Sequence, residues 1–515
     1  MTDFRTLRQI IWSVTAIVAL SCTPAPSAPV QPVVADSHPV SGRVNTVASP
    51  VDRLRAEFDE ILADPAFANA HWGVMVQSVE TGEVLYRHNE RKLFMPASNV
   101  KLVTGSVALT RLGAEFRFRT RVATCGAIDN TAGALDGDLL VVGGGDPAIS
   151  SRFSDDDPTG VFRAWADSLK GRGITRINGN VVGDDDLFDD THVGPGWAWD
   201  NLGSSYSAEI GALLLNEGTI SLHVTPGESA GERANVELQP PTEYLELTNM
   251  AYTTADSTGV GVWAARRPLS TEAELGGRIW LGTDSVTRTI PPHDPTMYFV
   301  TVLHETLEAE GIEVSGDPVD MDDYDVSCAE PNDLFVHESP TLEEILAPFL
   351  KDSQNQIGEM LMRYVGAAAT DTGSVATGRR VAESVLTRWG IPDDSYVYFD
   401  GSGLSRYNYL APEAIVRLLR AMALSPAFEV FYNSLSVAGV DGTLRGRFRG
   451  TAGEGNVRAK TGSVSNARTL SGYVTSADEE LLVFSVLTNN FDTPNRPVEY
   501  VQDLLVERLV HFKRE

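Results

Sequence analysis

Residues 95–101 read Met-Pro-Ala-Ser-Asn-Val-Lys, and the helix predicted from Ser98 to Leu112 starts inside this stretch. Side chains three positions apart lie on one face of a helix, so the Ser98 hydroxyl and the Lys101 amine can meet. A serine hydroxyl is a poor nucleophile until a base removes its proton. An amine is such a base only when desolvation or nearby positive charge lowers its pKa. Among the six lysines of the chain, only Lys101 follows a serine at this spacing. The stretch indicates a serine nucleophile with a lysine base.

Two further short motifs lie far along the chain. Ser353-Gln354-Asn355 is the only Ser-x-Asn sequence, and it supplies a hydroxyl that can relay a proton and an amide that can bind a peptide carbonyl. Lys460-Thr461-Gly462 follows Val457 and Ala459, which favour a strand. Its ammonium and hydroxyl can hold a carboxylate, and its glycine would let a substrate backbone approach the strand. Ser-x-Asn alone means little, because exposed polar residues at a helix end are usually only solvated. Lys-Thr-Gly is a stronger signal, because it rarely occurs by chance in a chain with so few lysines.

Ser-x-x-Lys, Ser-x-Asn and Lys-Thr-Gly in this order resemble the three signatures of penicillin-binding serine enzymes and serine β-lactamases. The spacing resembles that of the DacB-type D-alanyl-D-alanine carboxypeptidases/endopeptidases, the class C low-molecular-mass penicillin-binding proteins. In that family extra domains separate the first two motifs, and here 255 positions separate Ser98 from Ser353. Three more segments resemble family elements: residues 143–147, 400–405 and 471–473.

The resemblance implies a multidomain α/β protein. A serine β-lactamase/transpeptidase-like α/β domain would comprise residues 51–116 and 336–515. An inserted β-rich region would span residues 117–335, where short strand-like pieces alternate with Gly/Asp turns. Within the second catalytic part, the apolar pattern predicts one long helix over residues 341–367.

The resemblance also implies a role for each motif residue. Ser98 would be the acylated nucleophile and Lys101 the base for acylation. Ser353 and Lys460 would move protons, and Asn355 would orient the substrate. The implied substrate-binding residues on the predicted strand are Lys460, Thr461, Gly462 and Ser463, with backbone N–H groups of Ser98 and Ser463 forming an oxyanion hole.

The implied activity is release of D-Ala from peptidoglycan stem peptides, with β-lactams as further ligands. Two alternatives stay open. One is a β-lactamase or esterase on the same fold, which the long insertion argues against. The other is a non-catalytic β-lactam sensor, which the intact motifs argue against. The sequence leaves open the balance of carboxypeptidase and endopeptidase action and the oligomeric state.

Composition limits the partners. Lys and Arg number 41 against 70 Asp and Glu, a net charge of −29 that repels nucleic acid phosphates. No Cys/His cluster has metal-site spacing, so neither a metal nor another cofactor is expected. The acidic residues 184–186 and 189–190 are interpreted as a solvated loop rather than a cation site. Asp400, Ser402 and Ser405 are interpreted as turn formers.

The N-terminus indicates export. An apolar run over residues 10–20 follows Arg5 and Arg8 and is too short to span a bilayer comfortably. It leads to Cys22 in a sequence similar to a lipoprotein signal, although an ordinary cleaved signal stays open. A Pro- and Ser-rich linker is predicted over residues 23–50. We therefore expect a periplasmic or cell-envelope protein. A lipid on Cys22 could tether it to the membrane. Whether Cys125 and Cys328 pair is left open.

Overall fold

A computed structural model describes residues 48–324 and 331–515, and residues 48–515 belong to one compact unit. The predicted signal, with the lipidation candidate Cys22, lies outside the described residues, as does the linker up to residue 47. Helix formation begins at Pro50, the last residue of the predicted linker. There the Ser49 side chain accepts a hydrogen bond from the Asp52 N–H and caps the helix. In the described part of the chain, no helix has the length and apolar character needed to cross a bilayer.

The described residues form ten α-helices. They are α1 (Pro50–Leu62), α2 (Val100–Leu112), α3 (Gly160–Gly171), α4 (Pro295–Ala309), α5 (Leu342–Lys351), α6 (Asn355–Thr370), α7 (Val375–Arg388), α8 (Pro412–Ala423), α9 (Phe428–Asn433) and α10 (Asn495–Val510).

The same residues form 24 strands. They are β1 (His71–Ser78), β2 (Val84–His88), β3 (Arg119–Thr124), β4 (Ala127–Asp129), β5 (Ala134–Asp136), β6 (Leu139–Val142), β7 (Arg176–Ile177), β8 (Val181–Asp184), β9 (Ile220–Thr225), β10 (Asn235–Gln239), β11 (Glu246–Asn249), β12 (Tyr252–Thr254), β13 (Gly261–Arg266), β14 (Glu272–Trp280), β15 (Val286–Ile290), β16 (Glu313–Val314), β17 (Pro318–Asp320), β18 (Asn332–Glu338), β19 (Tyr396–Val397), β20 (Tyr409–Leu410), β21 (Ser436–Val437), β22 (Arg458–Val464), β23 (Ala467–Thr475) and β24 (Leu481–Asn489).

A six-stranded antiparallel sheet combines strands from residues 71–88 and 436–489, in the order β2-β1-β24-β23-β22-β21. Its central strand β24 is buried along nearly its whole length, as its continuous apolar run requires when both faces of a sheet are covered. Helices α1 and α10 pack on one face. Helices α2 and α5 to α9 share a second core with the other face. This arrangement confirms the predicted α/β class and places β22 near the start of α2.

Residues 117–335 are rich in strands, as predicted. They form most of four smaller sheets, and of the ten helices only α3 and α4 lie in the described part of this stretch. This stretch has its own hydrophobic core. The buried members of that core lie between Val122 and Ile312, and partly buried residues up to Phe335 pack against them. The assignment of these residues to an inserted domain stays a prediction. Cys125 is disulfide-bonded. Cys328, whose pairing with Cys125 the sequence left open, lies outside the described residues.

The single helix predicted over residues 341–367 is wrong in one respect. The structure has two helices there, with α5 ending at Lys351 and α6 starting at Asn355. Between them Ser353 has φ of +65°, in the left-handed region. A left-handed non-glycine residue costs about 1 kcal/mol and ends the regular hydrogen-bond pattern, so the chain turns at this point. The turn brings Ser353 out of the helix and toward β22.

Candidate active site

Ser98 lies on a short 3₁₀ turn, Ala97–Asn99, immediately before α2. Its neighbours fix the turn to the sheet. The Asn99 amide donates to the Lys460 carbonyl at 2.9 Å, and the Thr469 hydroxyl donates to the Pro96 carbonyl at 2.9 Å. The turn is therefore attached to β22 and β23 on both sides of Ser98, which itself stays partly exposed.

Lys101 is fully buried one helical turn after Ser98. Its Nζ lies 3.1 Å from Ser98 Oγ, 2.6 Å from Asn355 Oδ1 and 2.7 Å from the Ser402 carbonyl oxygen. Asn355 Oδ1 and the Ser402 carbonyl can only accept hydrogen bonds. A neutral amine has two N–H groups for these two acceptors, which leaves its lone pair for the Ser98 hydroxyl proton. The arrangement suits a neutral lysine acting as a base.

Burial lowers the pKa of Lys101 to about 7, and the negative charges of Asp400 and Glu359 oppose this effect. Desolvation disfavours the ammonium because a charge in a low-dielectric interior loses its hydration. A substantial fraction of the amine is thus neutral near neutral pH, as general-base catalysis requires.

Lys460 is the second fully buried lysine of the site. Its ammonium donates to Ser353 Oγ and to the Thr461 carbonyl, both at 2.8 Å. Burial and the positive charge of Lys101 hold the pKa of Lys460 well below its ordinary value. Each motif serine therefore has its own buried lysine.

Asn355 connects the two sides of the site. Its Oδ1 accepts from Lys101, and its Nδ2 donates to the Tyr206 carbonyl at 2.7 Å. One amide N–H is left for a further acceptor, such as a peptide carbonyl. The prediction that Asn355 orients a substrate stays a prediction, and the amide has a free donor for it.

Strand β22 presents the third motif. Lys460 and Gly462 are buried, whereas Thr461 is partly exposed and Ser463 is exposed. The Thr461 hydroxyl donates to Thr443 Oγ1 at 2.7 Å. Each of the eight predicted site residues thus lies in contact with, or directly beside in the sequence, another member of the set.

Gly462 is required by the protein's own packing. A Cβ at this position would lie 2.2 Å from Thr469 Oγ1, 2.7 Å from the Pro96 carbonyl oxygen and 3.0 Å from the Ser98 nitrogen. A side chain would collide with the turn that carries Ser98. The glycine therefore allows β22 to lie against that turn. The sequence analysis explained Gly462 only by the approach of a substrate backbone and did not predict this contact within the protein.

The sequence analysis did not predict a buried ion pair near Lys101, which we call the charged layer. Glu359 and Arg363 are fully buried on α6 and form an ion pair at 3.2 Å. Glu359 Oε1 accepts from the Ser402 N–H at 2.9 Å. Burial raises the pKa of Glu359 to about 7; the negative charge of Asp400 adds to this, and the positive charge of Arg363 opposes it. The missed signal was the spacing of four residues from Asn355 to Glu359 to Arg363, which places them on one helix face.

Asp400 has the turn-forming contacts predicted for it. Its carboxylate accepts from the N–H groups of Gly403 at 2.8 Å and Ser405 at 2.6 Å. It also accepts from the Trp197 indole at 3.0 Å, so residues from the 117–335 region reach this layer. Asp400 is fully buried, which a surface turn would not be.

The predicted acidic loop, residues 184–186 and 189–190, begins at the last residue of β8. Carboxylate oxygens of Asp185, Asp320 and Asp322 lie within 4.8 Å of one another. Burial raises the pKa of Asp320 to about 6, with neighbouring carboxylates adding to the effect. A solvated acidic loop and a cation site both agree with this cluster of carboxylates. The interpretation as a solvated loop therefore stays a prediction.

Comparisons with known proteins agree with this geometry. The family model described as the D-Ala-D-Ala carboxypeptidase 3 (S13) family matches residues 54–507. A D-alanyl-D-alanine carboxypeptidase from Actinomadura sp. (strain R39) is 35% identical over 477 residues, covering 89% of this chain and 85% of that protein.

Solved structures share the fold. The crystal structure of penicillin binding protein 4 (dacB) from Haemophilus influenzae has a TM-score of 0.75 at 23% identity, covering 89% of this chain and 99% of that one. A second crystal structure of that protein, complexed with a novel β-lactam, has a TM-score of 0.70 at 23% identity with the same coverage.

The family model covers most of the chain, and the relative from Actinomadura exceeds 30% identity over most of both proteins. The chain belongs to the D-Ala-D-Ala carboxypeptidase 3 (S13) family and is a serine-type D-Ala-D-Ala carboxypeptidase.

Proposed function

We propose that this enzyme cleaves the terminal D-Ala-D-Ala amide of peptidoglycan stem peptides through an acyl-enzyme on Ser98. The observation that carries the proposal is the fully buried Lys101 amine, 3.1 Å from Ser98 Oγ, with its two N–H groups matched to two acceptors.

In the acylation step, neutral Lys101 takes the Ser98 proton while Oγ attacks the carbonyl carbon of the scissile amide. The developing oxyanion would be held by backbone N–H groups of Ser98 and Ser463, and each such donor contributes roughly 3–4 kcal/mol of transition-state stabilisation. The Ser98 turn and β22 lie in contact, which supports a hole built from these two segments.

The leaving amine needs a proton before D-Ala departs. Ser353 Oγ, bonded to Lys460 at 2.8 Å, is the proposed donor, and Lys460 replaces the proton. Thr461 and Lys460 would bind the terminal carboxylate of the substrate from β22. Water then hydrolyses the Ser98 ester and frees the enzyme.

The β-lactam-bound structure of the Haemophilus relative supports β-lactams as further ligands of this chain. A β-lactam would acylate Ser98 by the same attack on an amide carbonyl. Endopeptidase action on cross-linked peptides would use the same chemistry at a D-Ala amide with a larger leaving group.

Action on peptidoglycan requires the enzyme to be outside the cytoplasm. We propose an exported periplasmic or cell-envelope enzyme, with the residue 1–22 signal directing export. Lipidation of Cys22 and a tether through residues 23–50 belong to the same proposal. Mass analysis of the mature protein purified from its membrane fraction would distinguish a lipidated Cys22 from a signal cleaved without lipidation.

Labelled penicillin followed by peptide mass analysis tests the nucleophile. We expect a stable adduct on Ser98 in the wild type and none in Ser98→Ala. Rapid release of the label would favour the β-lactamase alternative. D-Ala release from a D-Ala-D-Ala pentapeptide separates an enzyme from a sensor, because a sensor would be labelled without releasing D-Ala.

A further inference from the structure

The turn that carries Ser353 is hydrogen-bonded to residues 117–335 through the residues before and after Ser353. In the stretch 352–356, each residue except Ser353 uses its side chain to bond to that region. The four contacts are Arg152 Nη1 to Asp352 Oδ2 at 2.9 Å, Gln354 Nε2 to Glu217 Oε2, Asn355 Nδ2 to the Tyr206 carbonyl at 2.7 Å, and Gln356 Nε2 to the Ser205 carbonyl at 3.1 Å.

One ion pair connects the contacts on the two sides of Ser353. Arg152 Nε donates to Glu217 Oε1 at 2.6 Å, while the same guanidinium binds Asp352 and the same carboxylate binds Gln354. The two sequence neighbours of Ser353 are therefore held by a single bridge. A guanidinium suits this role because its donors are fixed in one plane and can bind two carboxylates at once.

Ser353 needs such a support. Its φ of +65° lies in a region that a serine rarely adopts without outside contacts. The partner loop is itself anchored, because the Asn216 side chain accepts from the Ser151 N–H at 2.8 Å and donates to the Pro158 carbonyl at 3.0 Å. The bridge thus joins the Ser353 turn to a fixed point of residues 117–335.

We propose that Arg152 and Glu217 are positioning residues that hold Ser353 Oγ within reach of Lys460, so that residues 117–335 complete the active site. This inference rests on the proton-transfer role proposed above for Ser353. Neither Arg152 nor Glu217 touches Ser98 or Lys101, so both act through the turn.

Arg152→Met removes both guanidinium contacts and keeps an apolar side chain of similar length. We expect acylation of Ser98 by labelled penicillin to slow roughly 10- to 100-fold, because a displacement of about 1 Å at a reacting group has this effect. For D-Ala release, kcat should fall while KM changes less than about twofold, because Asn355 is held separately by Tyr206. Arg152→Lys keeps the positive charge but lacks the planar guanidinium. Its acylation rate should lie between those of the wild type and Arg152→Met.

Arg121→Met is the matched control. It breaks a similarly exposed Arg–Asp pair within residues 117–335, the 2.6 Å contact with Asp333. We expect a change in melting temperature like that of Arg152→Met and an unchanged acylation rate. Gln354→Met tests the bridge from the other side, and the double variant Arg152→Met/Gln354→Met should be no slower than the slower single variant.

The outcomes separate the two proposals. Absence of a Ser98 adduct in the wild type would overturn the proposed function itself. A wild type that is acylated, with Arg152→Met acylated at the same rate or Arg121→Met slowed equally, would overturn only the positioning role.

Discussion

Lys101 and Glu359 bind the two backbone groups of one residue that lies between them. The Lys101 amine donates to the Ser402 carbonyl at 2.7 Å, and the Ser402 N–H donates to Glu359 at 2.9 Å. The negative charge of Glu359 raises the Lys101 pKa against the effect of burial. It also stabilises the ammonium that would form when Lys101 accepts the Ser98 proton. The proposed base and a buried carboxylate are thus joined through a single residue.

Replacing Glu359 by Gln should lower the Lys101 pKa, because it removes a nearby negative charge. Asp400 still raises that pKa in the variant. We expect the acid limb of the acylation profile to move to lower pH by about half a unit or more. The plateau rate should fall, because a less basic amine is a poorer proton acceptor.

The measurement is the second-order rate of labelling by fluorescent penicillin between pH 5 and 9. Glu383→Gln, on the exposed part of α7, serves as the control and should leave the profile unchanged. An acid limb that stays in place for Glu359→Gln, with or without a lower plateau, would show that Glu359 does not act on Lys101.

Lys101 itself sets the pH dependence of the wild type. Its pKa is lowered to about 7, and the neutral form is the proposed active one. The fraction of active enzyme therefore rises with pH through about 7, and acylation should be slow at pH 5 and near its plateau at pH 8. Lys101→Met should lose about 10³-fold in acylation rate at pH 8, and the loss should shrink toward pH 5, where little of the wild-type amine is neutral. A labelling rate for Lys101→Met within tenfold of the wild type at pH 8 would contradict the base role.

Gly462→Ala should displace Ser98. The added methyl would lie 2.2 Å from Thr469 Oγ1 and 3.0 Å from the Ser98 nitrogen, so either β22 or the Ser98 turn must move. We expect acylation to fall about 100-fold, the usual consequence of a displacement near 1 Å at a reacting group. Gly446→Ala is the control, since a Cβ there meets no atom within 4 Å. Equal labelling rates for both variants would mean that the site tolerates the methyl group.

Much of the site could be predicted from the sequence because its motifs depend on local geometry. Ser98 and Lys101 are neighbours on adjoining helical turns, and the spacing of three residues alone places them together. Strand β22 was also predictable, because Val457 and Ala459 favour a strand around Lys460. The approach of Ser353 to Lys460 rested on the family resemblance, because the two residues are 107 positions apart.

The rest depends on tertiary contacts that no short pattern shows. Residues 349–357 contain no glycine or proline to mark the break between α5 and α6. Arg152, which binds Asp352 beside the left-handed Ser353, is 200 positions away in the sequence. Charged residues on a helix are usually exposed, so Glu359 and Arg363 appeared unremarkable in the sequence although both are fully buried.

Asp320→Asn should stabilise the protein at neutral pH. Burial raises the folded-state pKa of Asp320 to about 6 from 3.8, so folding favours the protonated carboxyl. Its contribution to stability is complete below about pH 3.8 and is lost as pH rises through about 6. Because the side chain is partly exposed, solvent screening reduces the effect, and we expect a gain of about 1 kcal/mol at pH 7 for the variant and almost none at pH 4.

Urea unfolding with a chelator present, at pH 4 and at pH 7, measures the difference in the free energy of unfolding between the variant and the wild type. Asp317→Asn, an exposed neighbour, should change stability little at either pH. A gain for Asp320→Asn that is equal at pH 4 and pH 7 would exclude titration as its cause, because the two side chains differ in charge only at the higher pH.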